Sequence, residues 1–299
     1  MRELELIAAI RAALEDRSGR LVRWTGDDAA VVRARPLAVT SIDTIVEGAH
    51  FRLTTHSAGD VGWKALATAL SDIAAMGADA GEAYVSLVLP DGFEDALELV
   101  AGMEEVASQH GVTIAGGDIV RGGVLTVTVA VTGWADSDQD LARRDGARPG
   151  DLVGVTGELG GSEAGRRALE AGHPSAHTRR HLRPRPRLNE GAALVRAGIS
   201  AMIDVSDGLA TDARHLADAS GAQLVVRMTD VPCADGVAAE AAVTGGDDYE
   251  LLVTVPSKRR AAAEAATGLA WIGDVRSGSG LVLVPEADDL SALRGYEHA

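Results

Sequence analysis

Apolar and polar positions follow two periods along this chain, and the period switches repeatedly. Residues 4–15 space their apolar side chains by three and four, which predicts a helix. Residues 60–76 do the same through Trp63, Leu66, Ala67, Leu70, Ile73 and Ala74, with Gly77 as the C-cap. Residues 94–109 form a third predicted helix. Between them lie strand-like runs. "LAVTSI" (37–42) is β-rich and ends at Asp43, and "YVSLVL" (84–89) is a second run. "VTIAGGD" (112–118) reads as a short strand entering a glycine loop. "VLTVTVAVTG" (124–133) alternates threonine with apolar residues, a strand signature.

The pattern stops at "DSDQDLARRDGARPGD" (136–151), which is charged and aperiodic. A domain boundary is expected there, giving an N-terminal domain over 1–137 and a C-terminal domain over 148–299. The second half restarts with a strand, "DLVGVTG" (151–157), then glycine turns and a helix from about Ser162. "RRHLRPRPRLNEG" (179–191) is basic, and Pro184 and Pro186 forbid a regular helix across them. "AMIDVSDGLATDARHLADAS" (201–220) reads as strand, turn and helix. "QLVVRM", "YELLVTV" and "LVLV" add strands. Helices and strands mix in both halves, so the class is α/β or α+β.

Composition narrows the function. Aromatic residues are only 3% of the 299, so the core must be built from Ala, Val, Leu and Ile. A net charge of −16 argues against nucleic acid, whose phosphates are neutralised by Lys and Arg. It leaves open a phosphorylated small molecule if metal ions supply the positive charge. Cys233 is the single cysteine, which excludes an intrachain disulfide and a cysteine-ligated zinc. No apolar run is long enough for a bilayer, and acids interrupt the N-terminal apolar residues, so a cytoplasmic protein is expected.

Aspartates are the candidate chemistry. Asp28, Asp43, Asp118 and Asp204 sit beside predicted strand ends, where α/β sheets place ligands. Asp72 lies off the apolar stripe of its helix, on an edge with Lys64 and Thr68. Each Gly-Asp or Asp-Gly pair is also ordinary turn chemistry. Many converging carboxylates, however, would need hard cations, and oxygen ligands suit Mg²⁺. "DVSDGLATD" fails as a calcium loop because Leu209 occupies the sixth position. No phosphate-binding G-x-x-x-x-G-K-[ST] loop occurs. "VTGELGGSEAG" (155–165) offers backbone N–H groups for phosphate or is a structural turn, and the arginines of 179–187 bind anions or pack at the surface. Ser206 lacks a nucleophile context, and His50 alone reads more simply as structural.

The ordered set "GDDAAV", "SIDTIVEGAHF", "KALATALSDIAAMGA", "GGDIVRG", "HLRPRPRL", "IDVSDGL" and "GGDDYELL" resembles the thiamine-monophosphate kinase family. That family is one of the ATP-binding superfamily that includes aminoimidazole ribonucleotide synthetase. The resemblance runs from about residue 26 to 256, plus a terminal "GYEH". It implies a two-domain α/β fold with N-terminal sheets pairing across a homodimer. It implies phosphoryl transfer from ATP to thiamine monophosphate, with several Mg²⁺ ions. The family pattern puts metal on Asp28, Ser41, Asp43, Asp72, Asp118, Asp204 and Asp207. It puts ATP on Gly117, Asp118, Arg144 and Ser206, and the thiamine phosphate on His50, Asp247 and Leu293. No general base is expected. Four positions depart from the family: Ile42 for Thr, Asp247 for Glu, His110 for Tyr, and Leu293 for an aromatic residue. Other readings are a nucleotide or thiamine-phosphate sensor without turnover, and another ATP-dependent enzyme of the superfamily.

Overall fold

The computed structural model describes residues 3–285. Its first half runs α1 (Glu3–Ala13), β1 (Leu21–Arg23), β2 (Val31–Val32), β3 (Leu37–Val46), α2 (Ala58–Met76), β4 (Asp79–Leu89), α3 (Ala96–His110), β5 (Thr113–Arg121) and β6 (Thr126–Ala135). Four strands form a sheet in the order β3-β6-β4-β5, parallel only between β4 and β5, while β1 and β2 pair separately. The Thr/Val alternation of β6 assigns its faces. Val127, Val129 and Val131 are buried, and Thr126, Thr128 and Thr132 lie on the other side, half-buried. Helix α2 lies on the valine side and buries Leu66, Leu70 and Ile73. Helices α2 and α3 approach backbone to backbone. A Cβ on Gly62 would lie 1.8 Å from the Leu99 carbonyl oxygen, and one on Gly102 would lie 1.9 Å from that of Gly59.

The second half runs β7 (Asp151–Thr156), α4 (Gly161–Glu170), α5 (Thr178–Leu182), α6 (Leu188–Ala197), β8 (Ala201–Val205), α7 (Leu209–Ser220), β9 (Gln223–Arg227), α8 (Ala239–Thr244), β10 (Glu250–Pro256), α9 (Arg260–Ala266), β11 (Leu269–Arg276) and β12 (Gly280–Val284). Its six-stranded sheet has the order β12-β9-β11-β7-β10-β8 and is antiparallel except between β12 and β9. Strands β8 and β10 are buried nearly throughout, so they read as apolar runs rather than alternating ones. Val153, Val155, Ile203, Val205, Leu209, Leu216, Leu224 and Leu252 lead a core of aliphatic side chains. The two compact units are Met1–Ile73 with Ala78–Asp138, and Ala74–Gly77 with Gln139–Ala299. The fold is a two-domain, mixed α/β one.

Four local expectations change. The strand expected to end at Asp43 continues to Val46, because β6 pairs with it along its whole length. The expected glycine loop after Ala115 is strand β5: Gly117 pairs with Val85, and a Cβ there would lie 2.1 Å from the Val85 carbonyl oxygen. Close strand approach, and not a turn, explains that glycine. Pro184 and Pro186 do interrupt the helix, but short helices α5 and α6 flank them. Strand β11 was not expected, since Gly273 and Asp274 interrupt its apolar pattern and a bulge lies between Trp271 and Gly273.

Candidate active site

In the first unit the sheet register sorts the expected residues. Ser41 and Asp43 stand two apart on β3, opposite Val131 and Val129, and therefore share the helix-covered face. Asp72 of α2 meets them there and accepts a short hydrogen bond from the Ser41 hydroxyl. Burial and the neighbouring Asp72 push the Asp43 carboxyl up to about 6. Asp118 sits in the row of Ser86, Thr128 and Thr44, on the open face. It is exposed, as is Gly117. Ile42, 67% exposed, also lies on that open face, so its side chain turns away from Asp43 and Ser41. Asp28 is exposed in the turn between β1 and β2; its neighbour Asp27 pairs instead with Arg23 at 3.4 Å. The register and the Ser41–Asp72 hydrogen bond thus bring Ser41, Asp43 and Asp72 together and put Asp118 on the other face of the sheet.

His50 is fixed by its own turn. Its Nδ1 accepts from the Val46 amide at 3.1 Å, which puts the proton of a neutral ring on Nε2. His110, the last residue of α3, precedes the left-handed cap Gly111.

In the second unit Asp204 is the penultimate residue of β8, 4% exposed, and Ser206 and Asp207 form the turn into α7. Asp212, one helical turn later, was not singled out from sequence. It is 2% exposed and reaches back under this turn, where it accepts from the Asp207 and Gly208 amides at 3.1 Å each. Burial, Asp204 and Asp207 together push it up to about 8. The available signal was an acid in the first turn of an otherwise apolar helix face. Arg144 is exposed, and its carbonyl accepts from the Ser220 hydroxyl at 2.9 Å.

The glycine turn before α4 is filled from within. Asp248 accepts from the Gly160 amide at 2.5 Å and the Ser162 amide at 3.1 Å, so these donors serve a protein carboxylate. Burial pushes that carboxyl up to about 6, against the pull of the two amides. The basic segment is likewise paired internally: Arg187 with Glu250 at 2.5 Å and Arg180 with Glu158 at 3.3 Å. Asp247 sits beside Asp248 with φ at 65°, in the loop before β10. Leu293 lies outside the described residues.

Among the described residues, no group of three or more His, Cys, Asp or Glu side chains is gathered tightly enough to hold a metal ion alone. The carboxylate pairs are partial oxygen sets in which negative charge is unfavourable without a cation, as the raised Asp43 and Asp212 carboxyls record. Such sets fit Mg²⁺, which binds one or two carboxylates and completes its shell with water and phosphate oxygens. Among the described residues no helix is long and apolar enough to cross a membrane.

Family models match both halves. Residues 26–135 match the AIR synthase related protein N-terminal domain, and residues 148–298 match the C-terminal domain. The fold and these matches place the chain in the AIR synthase related class of two-domain proteins. Thiamine-monophosphate kinase of Salmonella typhimurium is 39% identical over 84% of this chain and 82% of its own length. The Escherichia coli K12 kinase is 35% identical over 91% and 90%. Within the class, the chain belongs to the thiamine-monophosphate kinase family. Among solved structures, the Stenotrophomonas maltophilia thiamine-monophosphate kinase superposes with a TM-score of 0.85 at 34% identity, covering 96% of this chain and 98% of its own. AaThiL complexed with AMPPCP and TMP superposes at 0.81 with 29% identity, covering 100% and 99%. HypE, a hydrogenase maturation protein, shares the fold at 22% identity with a TM-score of 0.74, over 97% of this chain and 96% of its own.

Proposed function

We propose that this chain transfers the γ-phosphoryl group of ATP to thiamine monophosphate, giving thiamine diphosphate and ADP, and that it works with Mg²⁺ as a cytoplasmic homodimer. The observation that carries the reading is 35–39% identity to thiamine-monophosphate kinases through both domains. The AMPPCP and TMP bound to AaThiL support ATP as donor and thiamine monophosphate as acceptor.

The chemistry suits the residues. The acceptor is a phosphate monoester whose second pKa is about 6, so near pH 7 its oxygen is already an anion. That oxygen attacks the γ-phosphorus, the bond to the β–γ bridging oxygen breaks, and ADP departs. No side chain need remove a proton, which agrees with an aspartate-rich chain lacking an evident base. The obstacle is repulsion between two polyanions, and catalysis is positioning plus charge stabilisation. Asp28, Ser41, Asp43, Asp72 and Asp118 of the first domain, and Asp204 and Asp207 of the second, are the residues proposed to hold Mg²⁺. When bound, Mg²⁺ would neutralise phosphate charge. Gly117, Asp118, Arg144 and Ser206 are proposed for ATP. His50 is proposed to donate from Nε2 to a phosphate oxygen, with Asp247 and Leu293 completing the acceptor site. The apolar exposure of Ile42 and Val120 on the open sheet face supports a second copy as its cover.

The test is product analysis with ATP, Mg²⁺ and either thiamine monophosphate or free thiamine. Thiamine diphosphate forming one-for-one with ADP, from the monophosphate alone, is expected. ADP without thiamine diphosphate, or no turnover, overturns the reading.

A further inference from the structure

The sequence Asp247-Asp248-Tyr249 makes a loop in which every residue is tied down separately. The Asp247 amide donates to the Ser206 carbonyl at 2.8 Å, and the Tyr249 amide to the Val205 carbonyl at 2.9 Å. Asp248 points to the α4 turn, where it accepts from the Gly160 and Ser162 amides. Asp247 and Tyr249 are the two non-glycine residues with positive φ among the described residues, at 65° and 52°. Aspartate tolerates this region, but for an aromatic residue it is strained. Such strain persists only where the surroundings impose it, and it gathers at functional sites.

What does the strained tyrosine gain? Its ring is buried, 8% exposed, and its hydroxyl donates to Asp247 Oδ1 at 3.0 Å. On the other side, His181 Nδ1 lies 3.9 Å from Asp247 Oδ2 and 3.2 Å from the Ser162 hydroxyl. The half-buried Asp247 carboxylate is thus held at one oxygen by a phenol and walled at the other by an imidazole. An aspartate has a short arm, and here the left-handed backbone and the phenol together fix where that arm aims. Tyr249 is therefore placed to act on whatever Asp247 meets.

We propose that Tyr249 is a positioning residue for the acceptor: its hydroxyl holds the Asp247 carboxylate in the orientation that meets thiamine monophosphate. This rests on the reading that Asp247 contacts the acceptor. The Tyr249 ring is buried and its hydroxyl is directed to Asp247, so on this proposal its contribution passes through Asp247.

That dependence sets the experiment, a double-mutant cycle on the full-length protein with KM for each substrate and kcat measured separately. Tyr249→Phe keeps the buried ring and removes only the hydroxyl. It is expected to raise KM for thiamine monophosphate about 5- to 10-fold, the size of one ordinary net hydrogen bond. KM for ATP should stay unchanged, and the melting temperature should fall by no more than a few degrees. Asp247→Asn should raise the same KM, and adding Tyr249→Phe to it should have no further effect. If Asp247→Asn leaves that KM unchanged, the acceptor reading of Asp247 falls and the role of Tyr249 with it. If Asp247→Asn raises it but Tyr249→Phe does not, or if the two effects multiply independently, Tyr249 is not acting through Asp247 and the positioning role alone is overturned. His181→Gln gives a second arm should the tyrosine variant fold poorly. A selective rise in the acceptor KM, absent in the Asp247→Asn background, supports the held carboxylate, and an equal change in both KM values overturns it.

Discussion

At the scale of single residues, the chain places carboxyl groups where burial makes their negative charge expensive. Asp212 shows this most clearly, with its carboxyl moved from 3.8 to about 8 by burial, then Asp204 and Asp207. In metal-free protein, between pH 4 and 8, the unfolded chain has lost this proton while the folded protein keeps it. Stability from this group therefore falls as pH rises through that window and levels off above it. Asp212→Asn keeps an oxygen to accept from the Asp207 and Gly208 amides and cannot titrate. With EDTA present, its urea midpoint should decline less steeply from pH 5 to 8 than that of wild type; parallel curves would contradict the assignment. Asp72 makes the complementary case. Asp72→Asn retains an acceptor for Ser41 but removes a charge beside Asp43. Turnover should drop at least about 100-fold, in line with losing a preorganised electrostatic group at a phosphoryl-transfer site. Melting should shift little, and wild-type turnover in a folded variant would remove Asp72 from the proposed metal set.

At the scale of elements, helix α2 shows how closely the carboxylates depend on packing. Gly62 and Gly102 let α2 and α3 meet backbone to backbone. Gly102→Ala places a methyl 1.9 Å from the Gly59 carbonyl oxygen, so the helices must separate. We expect a loss of about 3 kcal/mol, at the upper end for overpacking, read as a lower urea midpoint. An unchanged midpoint would mean that the helices slide apart freely. Elements like α2 were legible because nineteen residues of one period leave little ambiguity. The aspartates stood out because acids interrupt apolar runs, but Asp43 and Asp118, expected at strand ends, lie inside β3 and β5. What stayed hidden is non-local. Gly117 looks like a turn until Val85 is known to lie against it. The Gly160 turn looks like a phosphate cradle until Asp248 is found in it. Asp212 looks like a solvated helix residue until β8 is placed beside the turn. Strand β11 carries its bulge where pairing with β7 requires it, and nothing local announces that.

At the scale of the whole molecule, both domains carry carboxylates with raised affinity for protons, and protons would compete with Mg²⁺ at the sites proposed to hold it. The Mg²⁺ concentration giving half-maximal rate should rise as pH falls below about 6, where the Asp43 carboxyl protonates. The acceptor phosphate also gains its second proton near there. A rate titration with Mg²⁺ at pH 5.5 and pH 7.5 separates the two, because excess metal restores the first effect and not the second. A midpoint indifferent to pH would leave Asp43 outside the metal set. The contact between Asp248 and the α4 turn has a different consequence, for assembly. Its partners lie 88 and 86 positions away in the chain, so the turn before α4 stays incomplete until β10 has docked. The Gly160 and Ser162 amides are then natural reporters of that late step. In a pulsed hydrogen-exchange refolding experiment they should gain protection together with β10 and after the local amides of α4.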